Sequence, residues 1–377
     1  MRSIIHPLVT SAALTCALAV ASAWADWPML NHDPARSGIA DGPGPQALEP
    51  QWTVELEGRL DSSPAVAAGV VFVGSTSGAL YALDAGSGDR RWDAALGGAI
   101  VSSPCVAEGR VFVGLTNGFF YAIDAASGEV VWRMQARSPI VGSPVCAAGV
   151  VYFAASAGDV FALRAEDGRQ IWHSRAPSRV VASPTLSHGR LYVGDMGNLL
   201  HAYDVASGEQ VWQYDPTGWV IAPACVFGET VIVGSQDMEN GGEDAHLHGL
   251  NAVNGERKWL VAPLRGSIFA TPVVANGVCY TAVGEEYPSS HATLYAFDAA
   301  SGEAKWKRPL GAMVTSSVAV AGARLFLGTI AGTINAFDAA TGRPLLRFDA
   351  GAPIAASPAV DGERLYVGAG DGKLYCF

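Results

Sequence analysis

The stretch YALDAGSGDRRW, residues 81–92, decides the fold, because near copies of it recur along almost the whole chain. It carries Ala82, Asp84, Gly88 and Trp92 in the pattern A-x-D-x-x-x-G-x-x-x-W. An aspartate followed four residues later by glycine is typical of a hairpin turn, since the carboxylate accepts hydrogen bonds from turn amides and glycine adopts positive φ. Repetition at a nearly fixed period indicates a repeat architecture rather than a catalytic motif.

The copies vary at three informative positions. The third has Arg164 and the fifth Asn251 where the others have aspartate, and the seventh has Leu346 where the others have tryptophan. A buried tryptophan ring covers roughly 150–250 Å², so we expect the repeated rings to dock each unit on its neighbour; ligand stacking is the alternative. The expected docking tryptophans are Trp52, Trp92, Trp132, Trp172, Trp212, Trp259 and Trp306.

A second fixed point, usually Ser-Pro, precedes each copy. It recurs at Pro64, Pro104, Pro144, Pro184, Pro223, Pro272, Val318 and Pro358, at intervals of 40, 40, 40, 39, 49, 46 and 40 residues. Between these points lie short apolar runs separated by glycine-containing turns. Four short strands in roughly 40 residues are typical of one propeller blade.

The two ends of the chain complete one unit. The eighth unit reaches LYCF before any Asp-Gly-Trp hairpin, and QWTVEL from Gln51 matches RRWDAAL from Arg91. We therefore predict an all-β, eight-bladed β-propeller of four-stranded antiparallel blades, in which an N-terminal strand closes the ring. The predicted divisions are a signal peptide over 1–25, an N-terminal extension over 26–50 and the propeller over 51–377.

The first 25 residues have the features of a secretory signal. Arg2 precedes the apolar run LVTSAALTCALAVA, and ASAWA offers a cleavage site near Ala25. Cys16 raises lipidation as an alternative, although Thr15 departs from the small residue that such signals carry. No other stretch approaches the ~18 apolar residues of a membrane-spanning helix. We expect a periplasmic or secreted protein, monomeric as a propeller.

Composition narrows the function further. The formal net charge is −11 and no basic stripe is present, which excludes broad contact with nucleic acid.

Five cysteines follow the signal: Cys105, Cys146, Cys225, Cys279 and Cys376. We expect them to be small buried side chains, with one disulfide between blades as the alternative.

The Ala-Asp-Gly-Trp motif resembles the tryptophan-docking motif of PQQ-like β-propeller repeats over roughly Gln51 to Phe377. Members of that family include quinoprotein dehydrogenases and the noncatalytic propeller subunit of the outer-membrane β-barrel assembly machinery. In the dehydrogenases the resemblance implies a quinone held on the axis against a tryptophan and a disulfide of adjacent cysteines, beside Ca²⁺ and an aspartate base. This chain has no Cys-Cys pair and no aspartate that matches the base. It also has no G-x-S-x-G, H-E-x-x-H or Walker motif. We therefore expect no catalytic residue, and neither PQQ nor Ca²⁺ as a cofactor.

Function on a repeat scaffold is expected where one repeat differs from the others. Seven residue steps separate Gly74 from Tyr81, but 14 separate Gly234 from His248 and 13 separate Ala282 from Tyr295. Both insertions fall between the second and third strands of neighbouring blades, and we expect them to lie side by side. The predicted binding face consists of Arg179, Trp219, Asp237, Glu239, Glu243, Asp244, His246, Arg265, Phe269, Glu285, Glu286, Tyr287 and His291.

Some residues near this face have structural alternatives. The acidic and histidine side chains suit a divalent cation, but their spacing does not follow a calcium-loop pattern, so we expect no metal. His248 stands where other blades carry Tyr81 or Tyr121, so we expect it to pack between blades. Arg59 and Arg179 each lie five residues before a blade proline and are predicted to approach the axial funnel.

These observations predict an exported, noncatalytic propeller that acts as an interaction or scaffold module, with a periplasmic or outer-membrane protein as partner. The alternative is a propeller that binds PQQ or another small molecule, as a degenerate quinoprotein dehydrogenase would.

Overall fold

The computed structural model describes residues 26–237, 244–285 and 290–377; the side chain of Glu285 falls outside this description, as does the predicted signal over 1–25. These residues form eight four-stranded antiparallel sheets and no helix. The predicted eight-bladed all-β propeller is confirmed. Within the described ranges no helix is long and apolar enough to cross a membrane.

Each blade takes four strands, which we number in chain order from the closing strand. The closing strand is β1 (Trp52–Glu55), which belongs to blade 8. Blades 1 to 4 contain, in blade 1, β2 (Ala65–Ala67), β3 (Val70–Gly74), β4 (Ala79–Asp84) and β5 (Arg90–Ala95); in blade 2, β6 (Cys105–Ala107), β7 (Arg110–Gly114), β8 (Phe119–Asp124) and β9 (Val130–Gln135); in blade 3, β10 (Val145–Ala147), β11 (Val150–Ala154), β12 (Asp159–Arg164) and β13 (Gln170–Arg175); and in blade 4, β14 (Thr185–Ser187), β15 (Arg190–Gly194), β16 (Leu200–Asp204) and β17 (Gln210–Tyr214).

Blades 5 to 8 contain, in blade 5, β18 (Cys225–Phe227), β19 (Thr230–Asp237), β20 (Asp244–Asn251) and β21 (Arg257–Arg265); in blade 6, β22 (Val273–Ala275), β23 (Val278–Glu285), β24 (His291–Asp298) and β25 (Ala304–Leu310); in blade 7, β26 (Ala319–Ala321), β27 (Arg324–Gly328), β28 (Thr333–Asp338) and β29 (Pro344–Asp349); and in blade 8, β30 (Ala359–Asp361), β31 (Arg364–Gly368) and β32 (Lys373–Cys376).

The burial of each strand follows its place in the blade. The second and third strands are buried on both faces between neighbouring blades, as β3 is along its whole length, whereas the outermost strand β5 alternates between partly buried and exposed side chains. This explains the apolar runs and the final alternating segment of each repeat. We call the side with the second-to-third-strand turns and the blade-to-blade connections the upper face, and the opposite side the lower face.

The N-terminal strand closes the ring, as predicted. β1 pairs antiparallel with β32 from Trp52 opposite Cys376 to Glu55 opposite Lys373, and the amide of Gln51 donates to the Cys376 carbonyl at 2.7 Å. Blade 8 therefore combines strands from both ends of the sequence, and β1 covers the edge that β32 would otherwise expose.

The tryptophans dock each blade on the next one, as predicted. The indole of Trp92 donates to the Ala125 carbonyl of the next blade at 3.0 Å, and its ring covers Gly128, where a Cβ would lie 2.8 Å from Cδ2. The repeated glycine thus supplies positive φ and also room for the ring. The other rings make the same contact, namely Trp52, Trp132, Trp172, Trp212, Trp259 and Trp306.

The tryptophan missing from the seventh copy has a topological reason. Blade 7 would dock it on blade 8, whose third and fourth strands, β32 and β1, come from distant parts of the sequence and share no hairpin turn. Leu346 packs instead against the cluster that contains Phe377.

Six of the eight blades have a serine directly before the fixed proline or valine position, and this serine links adjacent blades. The Ser103 hydroxyl accepts a hydrogen bond from the Ser63 amide at 3.0 Å, and the same link joins Ser103 to Ser143 and Ser357 back to Ser63. These bonds join the inner ends of adjacent blades around the axis. Blade 5 has Ala222 at this position and cannot accept the bond.

The segment from Asp26 to Gly44 fills the lower part of the axial channel. Trp27 pairs with Val66 of blade 1, Pro34 accepts from Leu186 of blade 4, and Ala40 donates to Val320 of blade 7. The predicted extension is therefore a part of the ring's inner wall rather than an appendage.

Arg36 is the arginine of the axial channel. Its side chain is fully buried and donates to the carbonyls of Leu30 at 2.6 Å, Pro184 at 2.9 Å and Ser143 at 3.2 Å, and burial lowers its pKa to about 10. Arg59 and Arg179 are both exposed in blade-to-blade connections of the upper face, and their approach to the funnel stays a prediction.

Two cysteines pair between blades. Cys105 of β6 and Cys146 of β10 form a disulfide with their Cα atoms 6.6 Å apart, which corresponds to the alternative stated above, whereas Cys225, Cys279 and Cys376 are buried and free as expected. The bond links residues that the sequence separates by 41 positions, because inner strands of adjacent blades lie side by side.

A buried carboxyl on blade 8 predicts how stability depends on pH. Burial, and then the charge of Asp26, raises the pKa of Asp361 to about 6. The folded protein therefore holds this proton more tightly than the unfolded chain, and stability is lost as the pH rises from about 4 through about 6. We expect Asp361→Asn to raise the free energy of unfolding at pH 7.5 by up to about 2 kcal/mol and to leave it nearly unchanged at pH 4.

Urea denaturation at pH 4 and pH 7.5 measures this effect. Asp26→Asn is the partial control, since it removes only the second cause and should give a smaller gain. An Asp361→Asn protein that is no more stable than the parent at pH 7.5 would contradict the assignment.

Candidate functional site

Two neighbouring hairpins on the upper face are longer than the others, as the sequence predicts. β19 and β20 pair over eight residues each, from Thr230 opposite Asn251 to Asp237 opposite Asp244. β23 and β24 pair over eight residues each, from Val278 opposite Asp298 to Glu285 opposite His291. In blade 1 the corresponding β3 has five residues. Blades 5 and 6 therefore extend beyond the others on this face.

Each long hairpin is joined to the connection that precedes its blade. Trp219 and Gln236 exchange two backbone hydrogen bonds of 2.9 and 3.0 Å, and Ser267 and Gly284 exchange two of 2.7 and 2.9 Å. Backbone pairing of this kind holds the base of each hairpin in a fixed position. Trp219 itself is partly exposed beside the first hairpin.

A hydrogen-bonded group packs beneath the first hairpin. Nδ1 of His248 lies 3.1 Å from the Tyr214 hydroxyl of the preceding blade, and Nε2 lies 3.2 Å from the Ser235 hydroxyl, which donates to the Pro216 carbonyl. Burial lowers the pKa of His248 to about 3. His248 is therefore neutral at physiological pH and packs between blades, as predicted.

The structure places the described residues of the predicted face around these hairpins. His246 lies on β20 with its ring 6.0 Å from that of His248, and Asp244 stands opposite Arg265 in the strand pairing. Arg265 is the last residue of β21 rather than part of the connection, because the outer strand lengthens along with the hairpin. Phe269 is partly exposed in the connection that follows.

The remaining members of that face differ in accessibility. His291 and Arg179 are exposed, whereas Asp237 is buried at the end of β19 and is not part of the accessible surface. Four predicted residues lie outside the described residues, namely Glu239, Glu243, Glu286 and Tyr287; Glu285 is described in its backbone alone.

Across the described ranges no three His, Cys, Asp or Glu side chains come together to hold a metal ion. Blade 4 does hold a buried pair that the sequence analysis did not single out. Nε2 of His201 lies 3.0 Å from Asp195, whose other oxygen accepts the amides of Gly197 and Leu199. Both side chains are fully buried, so the pair fixes this turn and has no access to a substrate.

The axial channel does not fit PQQ. A polycarboxylate quinone needs free cationic donors, and the buried cation there, Arg36, directs its guanidinium nitrogens to backbone carbonyls. The disulfide joins Cys105 and Cys146 on separate blades, whereas the dehydrogenases use adjacent cysteines. In the described part of the chain, Arg36 and the disulfide do not form a quinone cradle of that kind.

Comparison with known proteins agrees with this architecture. A family model described as "Outer membrane protein assembly factor BamB" matches residues 49–183, 174–283 and 290–377. No curated protein matches the sequence.

Several solved structures share the fold. BamB from Moraxella catarrhalis is similar with a TM-score of 0.73 and 16% identity over 87% of this chain and 98% of that one. Quinohemoprotein alcohol dehydrogenase from Comamonas testosteroni is similar with a TM-score of 0.74 and 17% identity over 93% of this chain and 80% of that one. At such identities the likeness concerns the fold, which scaffold and enzyme share.

Proposed function

Since the chain belongs to the family described as outer membrane protein assembly factor BamB, we propose that it is an exported, noncatalytic scaffold that binds a periplasmic or outer-membrane protein through its upper face. The two paired long hairpins of blades 5 and 6 carry this proposal.

The geometry of those hairpins supports binding rather than packing. Their bases are held by backbone pairs to Trp219 and Ser267, so the hairpins project from a rigid ring. The described side chains on the hairpins include exposed His291 and partly exposed His246, and beside them lie exposed Arg265 on β21 and partly exposed Phe269 in the next connection. Aromatic and charged side chains on a rigid support are common at protein interfaces.

The alternative of a quinoprotein has less support. The family model and the structural neighbours cover both scaffolds and dehydrogenases. The misfit of the axial channel to PQQ, described above, favours the scaffold. Dye-linked alcohol oxidation after incubation with PQQ and Ca²⁺ would reveal the enzyme and overturn the proposal.

The first long hairpin offers a sharp test of the binding face. Asp237 and Asp244 stand opposite each other in the pairing, so an Asn-Gly turn can replace residues 238–243 without disturbing β19 or β20. We expect an unchanged melting temperature and circular dichroism spectrum, and a sharp fall in the proteins recovered from periplasmic extract.

A charge-matched control separates position from net charge. Glu239→Gln with Glu243→Gln removes two carboxylates from the long hairpin, and Glu129→Gln with Glu209→Gln removes two exposed carboxylates from the lower face. Partner recovery should fall for the first pair and not for the second. Equal recovery in both, together with full recovery by the Asn-Gly variant, would refute the proposed face.

A further inference from the structure

One position of the repeat carries an aromatic or histidine ring in seven blades, whereas blade 7 has Asn335 there. This position lies on the third strand, opposite the residue that follows the docking tryptophan or its replacement. In blade 1 Tyr81 pairs with Asp93, which follows Trp92, and in blade 7 Asn335 pairs with Arg347, which follows Leu346. The ring-bearing members are Tyr81, Tyr121, Phe161, His201, His248, Tyr295 and Tyr375.

Three of these rings contact the preceding blade, namely Tyr121, His248 and Tyr375. The Tyr121 hydroxyl donates to the Leu96 carbonyl of the preceding blade, and the Tyr375 hydroxyl donates to the Ala350 carbonyl, each at 3.4 Å. Tyr375 also packs against Phe348 of the preceding blade with ring centroids 5.4 Å apart. An aromatic ring at this position therefore fits the interface between two blades.

The interface between blades 6 and 7 lacks this ring and contains a cavity of about 400 Å³. That volume falls within the roughly 300–1,000 Å³ of ligand pockets. Leu310 occupies the place of Leu96, so a phenol in the cavity would meet an equivalent carbonyl. The lining residues that matter here are Arg308, Leu310, Asn335, Phe337, Leu345 and Arg347.

The charge around the cavity is unusual for this protein. The chain has a net charge of −11, yet two arginines line the cavity. Nε of Arg308 donates to the Gly342 carbonyl at 2.9 Å, while its terminal nitrogens and the whole Arg347 guanidinium have no partner among the described residues. Asn335 is held by the Thr333 hydroxyl at 2.9 Å and is partly exposed.

The cavity adjoins the binding face. It is bordered by Gly311 and Ala312 of the connection after blade 6. The next residue, Met313, lies against the second long hairpin, since a Cβ at Gly284 would be 2.7 Å from its sulfur. The Met313 carbonyl also accepts from Ile330 of blade 7. A polypeptide bound along the long hairpins would therefore reach the cavity.

From this juxtaposition we infer that the cleft between blades 6 and 7 binds an aromatic side chain of the partner protein, followed by an acidic residue that pairs with Arg308 and Arg347. This inference rests on the proposed function and specifies the partner's chemistry. The ring fills the position at which blade 7 has Asn335, and the carboxylate pairs with guanidinium nitrogens of Arg308 and Arg347 that have no partner among the described residues.

Short peptides test the inference directly. The probes are acetyl-Gly-Tyr-Asp-Gly-amide and its Tyr→Ala and Asp→Asn versions, titrated at low ionic strength and followed by ligand-observed NMR. We expect the Tyr-Asp peptide to bind and each altered peptide to bind about tenfold more weakly, a factor that corresponds to the loss of about 1.4 kcal/mol.

Variants locate the binding. Asn335→Tyr fills the cleft with the ring of the other blades, so it should abolish peptide binding and raise the melting temperature. Asn117→Tyr, which adds a tyrosine at an exposed upper turn of blade 2, should leave peptide binding unchanged and should not raise the melting temperature, because it removes the two hydrogen bonds of the Asn117 side chain. Arg347→Gln should retain the preference for tyrosine and lose the preference for aspartate over asparagine, which keeps the test informative if Asn335→Tyr folds poorly.

The two proposals can fail separately. The Asn-Gly hairpin variant retains the cleft and should still bind the peptide even when it loses its partner. Equal binding of the peptide by the parent and by Asn335→Tyr, or no binding by the parent at millimolar concentration, would overturn the inference about the cleft. Tighter binding of free acetyl-tyrosine than of the peptide would assign the cleft to a small molecule and overturn it as well.

Discussion

A chain that lacks residues 26–56 is expected to lose its cooperative fold. The deletion removes β1, leaves the edge of β32 unpaired and takes away the Trp52 indole that docks on blade 1. Loss of one such ring costs about 3–5 kcal/mol, and an open ring loses the pairing of a whole strand in addition. The total reaches the order of the entire stability of a domain, about 5–15 kcal/mol.

A shorter deletion is the matched comparison. Removing residues 26–44 keeps β1 but removes Trp27 and Arg36, both buried in the axial channel. The carbonyls of Ser143 and Pro184 would lose the guanidinium that they accept from. Each buried group left without a partner costs about 1–3 kcal/mol, so we expect an intermediate loss.

Melting curves of the three proteins, followed by circular dichroism, measure this order. Intact protein, the 26–44 deletion and the 26–56 deletion should melt at successively lower temperatures, the last without a cooperative transition. Equal melting temperatures for all three would show that the ring does not depend on its N-terminal strand.

Trp132→Ala is expected to have the next largest effect, a loss of about 3–5 kcal/mol in the free energy of unfolding. The indole donates to the Ala165 carbonyl at 3.0 Å and covers Gly168, where a Cβ would lie 2.7 Å from Cδ2. Its ring centroid is 5.9 Å from that of Phe112. The substitution leaves both a void and an unpaired carbonyl between blades 2 and 3.

Trp219→Ala is the control for this substitution. Trp219 lies off the repeat, and its contact with Gln236 is made by the backbone, which alanine retains. We expect less than about 1 kcal/mol of stability to be lost, together with weaker partner capture. Similar losses for the two tryptophans in urea denaturation would make Trp219 a structural residue and would weaken the proposed binding face.

The candidate site could be predicted in outline, and its geometry could not. The lengths between Gly234 and His248 and between Ala282 and Tyr295 locate the long hairpins, because an insertion in a regular repeat is visible in the sequence itself. Burial of Asp237 and extension of β21 to Arg265 follow from strand pairing across the blade. The spacing of Arg59 and Arg179 from a blade proline places both residues in blade-to-blade connections, and the structure adds that both side chains are exposed there.

The sequence by itself determined the blade, the number of blades, the closing strand and the docking tryptophans. Each of these follows from a local chemical rule that the chain repeats, such as aspartate and glycine in a hairpin turn or alternation on an exposed strand. Because the same pattern recurs in every blade, an ambiguous prediction for one segment is corrected by the others. The repeat period of about 40 residues was therefore sufficient to predict the blades and their number.

Only the tertiary structure decided what fills the spaces between those elements. Arg36 meets Pro184 across 148 positions, and Tyr366 meets Ala85 across 281. The cavity beside Asn335 is lined by Leu310 of the preceding blade, and Asn335 stands where the other seven blades carry a ring. Such contacts depend on how rigid blades are arranged about the axis. Because the surrounding side chains are closely packed, they cannot move to fill the space left where one side chain is missing.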